Sequence, residues 1–362
     1  MKPSRQERYK LIPDNLLRMV DANLNRIGEG LRFLEDTARL LLNDAALTRQ
    51  LKEMRHELVE GGWQFQQRLL QARDSEGDVG AGPEETGENR QEGLPVALVA
   101  NARRVQEALR VVEELAKAPG TGLDPGKFKR ARFSLYAVER TLLSRLLCRD
   151  RAKGVAGLYV VVDTTALKGR RHADVTEQAI RGGAKVIQLR DKFLGKRELL
   201  PIAQELKEVC AGHNVLFIMN DYLDVALAVG ADGLHVGLDD LPVKTARRLL
   251  PIDTLLGATV HTVEQAVEAQ ADGADHIAVS AIYPTGSKET EEVVVGLERL
   301  HQVRQAVDLP LVAIGGIKQE NVEQVMAAGA DAVAVISAVL GADNVETAAR
   351  QLSDRIRSES NG

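Results

Sequence analysis

The stretch V-T-E-Q-A-I-R-G-G-A-K-V-I-Q-L-R-D-K, residues 175–192, contains one complete helix–strand unit. Its first half has an amphipathic helical pattern that ends at a pair of glycines. Its second half alternates aliphatic residues with Gln188, Arg190 and Lys192, and alternate residues of a strand share one face. This strand therefore has one aliphatic and one polar face. It is either an edge strand or a strand that directs its charges at an anion.

The same unit recurs through the C-terminal part of the chain. Amphipathic helical stretches alternate with short apolar strands, which are predicted to begin at residues 157, 186, 216, 233, 255, 276, 311 and 332. About eight such units in roughly 200 residues predict a (β/α)8 TIM barrel of the α/β class. An open doubly wound sheet is the alternative, but its G-x-G-x-x-G fingerprint is absent after the first strand.

The N-terminal part has a helical pattern and an internal repeat. D-A-N-L-N-R-I-G-E-G-L-R-F-L-E-D-T-A (21–38) aligns without gaps on V-A-N-A-R-R-V-Q-E-A-L-R-V-V-E-E-L-A (99–116), and residues 51–58 resemble residues 128–135 more weakly. Asn23 recurs as Asn101, close to an apolar stripe where a buried amide needs a hydrogen-bond partner. Two stripes are predicted, formed by Leu24, Ile27, Leu31, Leu34, Ala38 and Leu41 and by Val105, Leu109, Val112 and Ala116.

We therefore predict two domains: an all-α domain with a duplicated helical hairpin over residues 1–150, and a TIM barrel over residues 154–358. The short basic segment C-R-D-R-A-K-G-V-A-G, residues 148–157, is predicted to be the linker between them. The acidic, glycine-containing segment at residues 73–93 is predicted to be a long loop.

Composition excludes several classes of protein. The 362-residue chain has a net charge of -5 and 3% aromatic residues, which argues against nucleic-acid partners. Two cysteines, Cys148 and Cys210, are too few for a disulfide framework or a structural zinc site. The N-terminal M-K-P-S-R-Q-E-R-Y-K has no apolar core, and no apolar run approaches the roughly 20 residues that cross a bilayer. We expect a cytoplasmic protein with no membrane partner, and oligomerisation is left open.

Charged residues cluster at the predicted carboxyl ends of the strands, where TIM barrels place their functional groups. Arg190, Lys192 and Lys288 supply three cations, which suit a diphosphate. Asp221 and Asp240 supply two carboxylates without an obvious basic partner, which suit Mg²⁺ bridging phosphate oxygens. The alternative is that these two aspartates are helix N-caps.

A second anion site is predicted in the loops after strands 7 and 8, the usual phosphate pocket of this fold. Hydroxyls and backbone amides are available there from Thr285, Ser287, Gly315, Gly316 and Ser337. The sequence thus indicates one diphosphate–metal site and one monophosphate site.

Six motifs in this order resemble those of thiamine-phosphate synthases: Q-L-R-D-K (188–192), N-D (220–221), H-V-G-L-D-D (235–240), P-T-G-S-K (284–288), A-I-G-G-I (313–317) and V-I-S (335–337). The resemblance covers the chain from Gly157 to about residue 350. It implies a Mg²⁺-dependent transferase that joins 4-amino-2-methyl-5-(diphosphooxymethyl)pyrimidine, called the pyrimidine diphosphate below, to a thiazole phosphate. Thiamine phosphate and diphosphate would be the products. The thiazole would be the 2-carboxy compound or its decarboxylated form.

The resemblance also implies which residues form the site. The pyrimidine diphosphate would be bound by Gln188, Leu189, Arg190, Asp191, Lys192, Asn220, Thr259 and Lys288. One Mg²⁺ would be held by Asp221 and Asp240. The thiazole phosphate would be bound by Thr285, Gly286, Ser287, Gly316, Ile336 and Ser337. Thr259 stands where many relatives have serine, and we expect its hydroxyl to preserve binding.

In the mechanism that the family implies, the C–O bond to diphosphate breaks first and the thiazole nitrogen attacks the resulting methylene cation. No side-chain nucleophile is needed, and we expect His235 to be a packed or hydrogen-bonded residue rather than a general base. An isomerase resembling thiazole tautomerase is the alternative for the barrel. The trio Arg190, Lys192 and Lys288 argues against it, since an isomerase needs no diphosphate clamp.

The N-terminal part resembles small helical hydroxymethylpyrimidine-phosphate kinases. The resemblance lies in residues 21–36, in R-D-S-E-G-D-V-G (73–80) and in A-N-A-R-R-V-Q-E-A-L-R-V-V-E-E (100–114). It implies ATP as a phosphate donor, although G-T-G-L-D-P-G-K-F (120–128) lacks the Ser or Thr of an ATP-binding P-loop. The alternative is a docking or dimerisation bundle whose Arg26, Glu29, Arg32 and Glu35 form a solvated ladder of ion pairs.

Overall fold

The computed structural model describes residues 12–59, 63–73, 93–118, 121–285 and 293–360. The chain divides into two compact units between Leu146 and Leu147. Within the described ranges, no helix is long and apolar enough to span a membrane. Most of the predicted loop at residues 73–93 lies outside the described residues.

The first unit is helical, as its periodicity predicts. The helices are α1 Asp14–Asp36, α2 Ala45–Val59, α3 Trp63–Ala72, α4 Leu94–Leu115 and α5 Pro125–Lys153, of which the part from Leu147 onward belongs to the second unit. Both predicted apolar stripes are buried except for Leu41, which is 37% exposed. The chain passes into a π-helical turn at Thr37–Leu41, and such a turn holds more residues than an α-helical turn. Leu41 therefore falls off the stripe that constant helical spacing predicts.

The internal repeat is visible as equivalent ion pairs in the two halves of this unit. Arg55 Nε donates to Glu35 Oε2 at 2.9 Å, and Arg132 Nη2 donates to Glu113 Oε2 at 3.0 Å. Glu35 aligns with Glu113, and Arg55 aligns with Arg132 through the weaker repeat. Both glutamates are buried. The duplicated hairpin thus keeps the same buried charge pair in each copy.

The two repeated asparagines are also equivalent. Asn23 Nδ2 donates to the carbonyl oxygen of Met19 at 2.8 Å, and Asn101 Nδ2 donates to that of Ala97 at 2.9 Å. Each side-chain amide therefore donates to a backbone carbonyl one helical turn earlier. This hydrogen bond gives the asparagine the partner that a polar group beside an apolar stripe needs.

The second unit contains a closed barrel of eight parallel strands in chain order. The strands are β1 Gly157–Asp163, β2 Val186–Arg190, β3 Leu216–Asn220, β4 Gly233–Val236, β5 Leu255–Val260, β6 His276–Val279, β7 Leu311–Ile314 and β8 Ala332–Val335. All eight begin at the predicted residues. The predicted TIM barrel is confirmed, and the doubly wound alternative is wrong.

Helices surround the strands and leave two apolar layers. They are α6 His172–Arg181, α7 Lys196–Gly212, α8 Leu223–Val229, α9 Val243–Leu249, α10 Val263–Asp272, α11 Gly296–Ala306, α12 Val322–Ala327, α13 Ser337–Leu340 and α14 Val345–Ser360, with a 3-10 turn at Thr164–Leu167. Outward side chains of the strands pack against the helices, and inward side chains form a second cluster inside the barrel.

The predicted linker is helical over most of its length, because α5 continues to Lys153. Cys148, Ala152 and Val155 are buried in the cluster inside the barrel, with Val186 and Leu255 from the starts of β2 and β5. Their spacing of four and three residues is that of an apolar helical stripe. This burial explains why the segment folds as a helix.

Candidate active site

Arg190 ends β2 beside Asp163, which ends β1. The two residues are register partners, and the Arg190 guanidinium donates to Asp163 Oδ2. The other carboxylate oxygen of Asp163 accepts the N–H of Thr165 at 2.9 Å. The side chain of Asp163 is 3% exposed and that of Arg190 is 17% exposed. The guanidinium is therefore held at the end of the barrel by a buried carboxylate.

Lys192 and Asp221 form a second ion pair at the same end of the barrel. The sequence suggested no basic partner for Asp221, so this pairing corrects that expectation. Burial raises the pKa of Asp221 to about 6; Asp240 acts in the same direction through a hydrogen bond and its charge, and Lys192 opposes both. Two carboxyl groups and one ammonium group therefore lie together.

The helix N-cap alternative for these aspartates is wrong. The N-cap of α8 is Tyr222 and that of α9 is Pro242. Asp240 Oδ2 instead accepts the backbone N–H of Gly237 at 2.8 Å. Asp221 has a φ of 61°, a conformation that is uncommon for residues other than glycine. Asp221 directly follows β3, and Asp240 lies in the loop between β4 and α9.

The donor set of Asp221 and Asp240 fits Mg²⁺. The ion is usually held by one or two carboxylates while it keeps several waters. A cation between the two carboxyl groups would also offset the repulsion from Asp240 that, after burial, helps to raise the pKa of Asp221. Among the described residues, no group of three or more histidine, cysteine, aspartate or glutamate side chains is arranged to hold a metal ion. Two carboxylates suit Mg²⁺, which prefers oxygen ligands, better than structural zinc, which is held mainly by cysteine and histidine.

A cavity of ≈ 50 Å³ lies inside the barrel and includes several predicted site residues. We call it the barrel cavity. Gln188 Nε2 donates to the Tyr159 hydroxyl at 2.6 Å, and His235 Nε2 lies 2.9 Å from Thr259 Oγ1. His235 is therefore a hydrogen-bonded residue, as predicted. The lining residues are Tyr159, Val161, Gln188, Arg190, Asn220, His235, Thr259, His276, Ala278, Ser280, Val312, Ile314, Ala334 and Ile336.

Leu189 and Asp191 lie differently from the predicted ligand contacts. Leu189 is fully buried in the layer between strands and helices, because it alternates with the inward residues Gln188 and Arg190. Only its backbone is left to contact a ligand in the barrel cavity.

Asp191 is 2% exposed, and its Oδ1 accepts the N–H groups of Phe193 at 2.8 Å and Leu194 at 2.6 Å. Burial acts to raise the pKa of Asp191, but hydrogen bonds from Thr164 and from those two N–H groups outweigh it and lower the pKa. The carboxylate thus fixes the loop that carries Lys192.

A second cavity of ≈ 50 Å³ lies at the ends of β7 and β8 and brings together Thr285, Gly316, Ile336 and Ser337. We call it the loop 7–8 pocket. Gly316 has a φ of 63°, and a Cβ there would lie 2.6 Å from the carbonyl oxygen of Pro284. Glycine therefore lets the β7 loop approach the β6 loop closely. The predicted residues Gly286, Ser287 and Lys288 lie outside the described residues.

Sequence reasoning missed four residues at these sites. Asp163 ends a predicted strand, which was a usable signal, but only strand register shows that it faces Arg190. Tyr159 and His276 lie at the start of strands and line the barrel cavity. Lys318 lines the loop 7–8 pocket, and it directly follows the A-I-G-G-I motif, so a search for cations there could have found it.

Two family models match the chain. The model described as Thiamine monophosphate synthase matches residues 158–339, and the model described as ThiD2 family matches residues 18–141. The two resemblances predicted from the motifs are confirmed by these matches.

Individual relatives agree with the family models. The thiamine-phosphate synthase of Thermosynechococcus vestitus is 36% identical over 342 residues, which cover 94% of this chain and 95% of the relative. That of Methanoculleus marisnigri is 54% identical over 199 residues, which cover 55% of this chain and 94% of the relative. The solved structure of thiamine phosphate pyrophosphorylase from Pyrococcus furiosus is similar with a TM-score of 0.53 and 36% identity, covering 57% of this chain and 98% of that protein. The similarity thus extends over nearly the whole chain in the first of these relatives.

Proposed function

The chain belongs to the thiamine-phosphate synthase family and is a transferase, and we propose that its barrel joins the pyrimidine diphosphate to a thiazole phosphate. The observation that carries this proposal is the cluster of Lys192, Asp221 and Asp240, which follow the carboxyl ends of β2, β3 and β4. A cation beside two carboxylates suits a diphosphate bound together with a divalent metal ion. The isomerase alternative gives no reason for this cluster.

The diphosphate is bound by the cations at the strand ends. Arg190 presents a planar guanidinium with several N–H donors, and Asp163 fixes its orientation. Lys192 adds a second positive charge on the following loop. Lys288 is proposed as the third cation from the family motif. Cations placed where negative charge develops stabilise the departing diphosphate.

Asp221 and Asp240 are the proposed ligands of Mg²⁺. When bound, the ion supplies positive charge that neutralises the oxygens of the leaving group. Lys192 contacts Asp221 and so links the metal ligands to the diphosphate site. Asp163 and Asp191, in contrast, position the neighbouring arginine and loop.

The pyrimidine ring enters the barrel cavity, where Gln188, Asn220 and Thr259 face it. The thiazole phosphate is placed with its phosphate in the loop 7–8 pocket. The C–O bond breaks and diphosphate leaves with the electron pair, and the lone pair of the thiazole nitrogen then forms the new C–N bond to the methylene carbon. The apolar wall of the cavity, which includes Val161 and Ile336, limits attack by water on that cation.

The test uses the full chain with Mg²⁺, the pyrimidine diphosphate and the thiazole phosphate, followed by phosphorus NMR. We expect equal amounts of thiamine phosphate and diphosphate, and little product from Arg190→Ala. Isomerisation of a thiazole phosphate without the pyrimidine substrate would instead support the isomerase alternative. Supplying the 2-carboxy and the decarboxylated thiazole separately identifies the preferred acceptor.

We propose a second activity, phosphorylation of the pyrimidine monophosphate by ATP, for the first unit. The match of residues 18–141 to the ThiD2 family supports it. Such a kinase would make the diphosphate that the barrel consumes.

The kinase assay is cleanest without a thiazole phosphate and in the Arg190→Ala chain, whose barrel activity is strongly reduced. With ATP and the pyrimidine monophosphate, ADP and the pyrimidine diphosphate should then accumulate together. Absence of both products would favour the docking or dimerisation bundle for the first unit.

A further inference from the structure

Three neighbouring strands place His235, Gly257 and His276 side by side in the barrel wall. The register pairs His235 with Gly257 and Gly257 with His276. A Cβ on Gly257 would overlap ring nitrogens of both histidines. The two imidazoles therefore extend over the space that the glycine leaves, with their ring centroids 5.7 Å apart. Both rings line the barrel cavity.

His276 is completely buried, yet neither of its ring nitrogens meets a hydrogen-bond partner among the described residues. The nearby polar groups are engaged with one another: Tyr159 with Gln188, and His235 with Thr259. Buried polar groups in native proteins nearly always have a partner. Two unpaired nitrogens in the wall of a cavity therefore point to a partner that binds in that cavity.

The neutral ring of His276 limits which ligands fit. Burial, and then the neighbouring His235, lower the pKa of His276 to about 3. A neutral imidazole offers one N–H donor and one nitrogen acceptor, and no charge. It suits an uncharged heteroaromatic ring that carries both kinds of group on its edge. An aminopyrimidine is such a ring, since its amino group donates and its ring nitrogens accept.

We infer that His276 is a specificity-determining residue that hydrogen-bonds to the aminopyrimidine ring of the substrate inside the barrel cavity. This inference rests on the proposed function, which places the diphosphate at Arg190 and Lys192. A ring joined to that diphosphate by one methylene group extends from the strand ends into the cavity. Gly257 is part of the same arrangement, because any larger residue would displace His276.

The kinetic test uses His276→Phe, which keeps an aromatic ring but removes both nitrogens. The KM for the pyrimidine diphosphate should rise about tenfold, the scale of one or two lost hydrogen bonds. The KM for the thiazole phosphate should stay unchanged. His276→Gln restores a donor and an acceptor and should recover part of the loss. His213→Phe, at an exposed histidine, is the matched control.

The outcomes separate the inference from the function on which it rests. If the wild-type chain forms thiamine phosphate and His276→Phe keeps the wild-type KM for both substrates, His276 only fills space and the inference is overturned. If the wild-type chain forms no thiamine phosphate, the proposed function itself fails.

A second measurement does not require a folded His276 variant. Nitrogen NMR of histidine-labelled protein at about pH 5 reports His276 as a neutral ring, because ordinary histidines with a pKa of about 6.5 are then protonated. Burial also lowers the pKa of His172, so the signal of His172 is assigned by its loss in His172→Gln. Adding the pyrimidine diphosphate alone should shift one nitrogen of the neutral imidazole. Saturating substrate with no shift of that signal would contradict the inference.

Discussion

Arg190 and Asp163 are register partners on adjacent strands, and their side chains form an ion pair at the carboxyl end of the barrel. Asp163 is nearly inaccessible to solvent, and it is anchored by the N–H of Thr165. The arginine that is proposed to bind the diphosphate is therefore oriented before substrate arrives. Such orientation in advance of binding increases the contribution of a charged group to catalysis.

This pair predicts a graded loss of activity. Arg190→Ala should lower kcat/KM, and the decrease should correspond to a loss of about 2–4 kcal/mol of transition-state stabilisation. Asp163→Asn leaves the cation in place but less well oriented, so we expect a smaller loss of about 1.4 kcal/mol, or tenfold. The double variant should resemble Arg190→Ala alone, because the two residues act as a unit. Additive losses would contradict this coupling, and Arg197→Ala, at an exposed arginine, is the control.

The pair of Asp221 and Asp240 predicts a dependence on divalent metal. A chelator should abolish product formation, and Mg²⁺ should restore it. Asp221→Asn and Asp240→Asn should each raise the Mg²⁺ concentration that gives half-maximal rate by roughly tenfold or more. Roughly tenfold is the loss of affinity caused by removing a residue that only hydrogen-bonds to a metal ligand, and loss of a ligand itself should cost at least as much. Asp239→Asn changes an exposed neighbour in the same motif and should have no effect. Full activity in the chelator would exclude the proposed metal site.

The duplicated ion pairs predict matched effects on the stability of the first unit. Arg55→Ala, and Arg132→Ala in an Arg110→Ala background that removes the second partner of Glu113, should each lower the free energy of unfolding by about 2–3 kcal/mol, since each then leaves a buried glutamate without its arginine partner. Trp63, the single tryptophan of the chain, belongs to this unit, so urea unfolding is followed by its fluorescence. Arg39→Ala removes an exposed pair and should cost less than about 1 kcal/mol. Strongly unequal losses in the two halves would argue against equivalent roles.

His276 predicts how the stability of the barrel unit depends on pH. Its pKa is lowered to about 3 by burial and by His235, and the ring of Tyr159 faces it from β1. Between about pH 6.5 and 3 the unfolded chain binds a proton at His276 that the folded chain does not. Lowering the pH over this range should therefore lower the free energy of unfolding by about 1.4 kcal/mol per pH unit. His276→Phe cannot bind this proton. When the pH is lowered from about 6.5 to about 5, its free energy of unfolding should therefore increase by about 2 kcal/mol relative to that of wild type.

Hydrogen exchange of the barrel strands in urea checks this prediction, because it reports the unfolding of the second unit and does not require a tryptophan there. The stability curves of the two proteins should diverge as the pH falls. Parallel curves would show that His276 titrates normally in the folded protein.

Local patterns of the sequence were sufficient to predict the barrel. Each strand start follows from a short apolar run, and the alternation of Gln188, Leu189 and Arg190 predicts which side chains face inward. The apolar stripes of α1 and α4 follow in the same way from helical spacing. These features depend on neighbours only a few residues away.

Features that depend on distant residues could not be predicted. Asp163 and Arg190 are 27 residues apart, and only the strand register brings them together. The salt bridge of Lys192 to Asp221 likewise requires that two loops meet. Leu41 is a different case, because a local change of helix type, the π-helical turn, interrupts the constant spacing on which its prediction rests. The space above Gly257, which His235 and His276 fill, exists only once three strands are aligned.

The most direct test of the proposed function follows both substrates of the barrel in one sample. The full chain and its Arg190→Ala variant are each mixed with Mg²⁺, the pyrimidine diphosphate and the thiazole phosphate, and phosphorus NMR follows the products. We predict that the wild-type chain forms thiamine phosphate and diphosphate in equal amounts, and that the variant is slower by roughly 30-fold or more. Unchanged substrates with the wild-type chain, or equal rates for the two proteins, would contradict the proposed site.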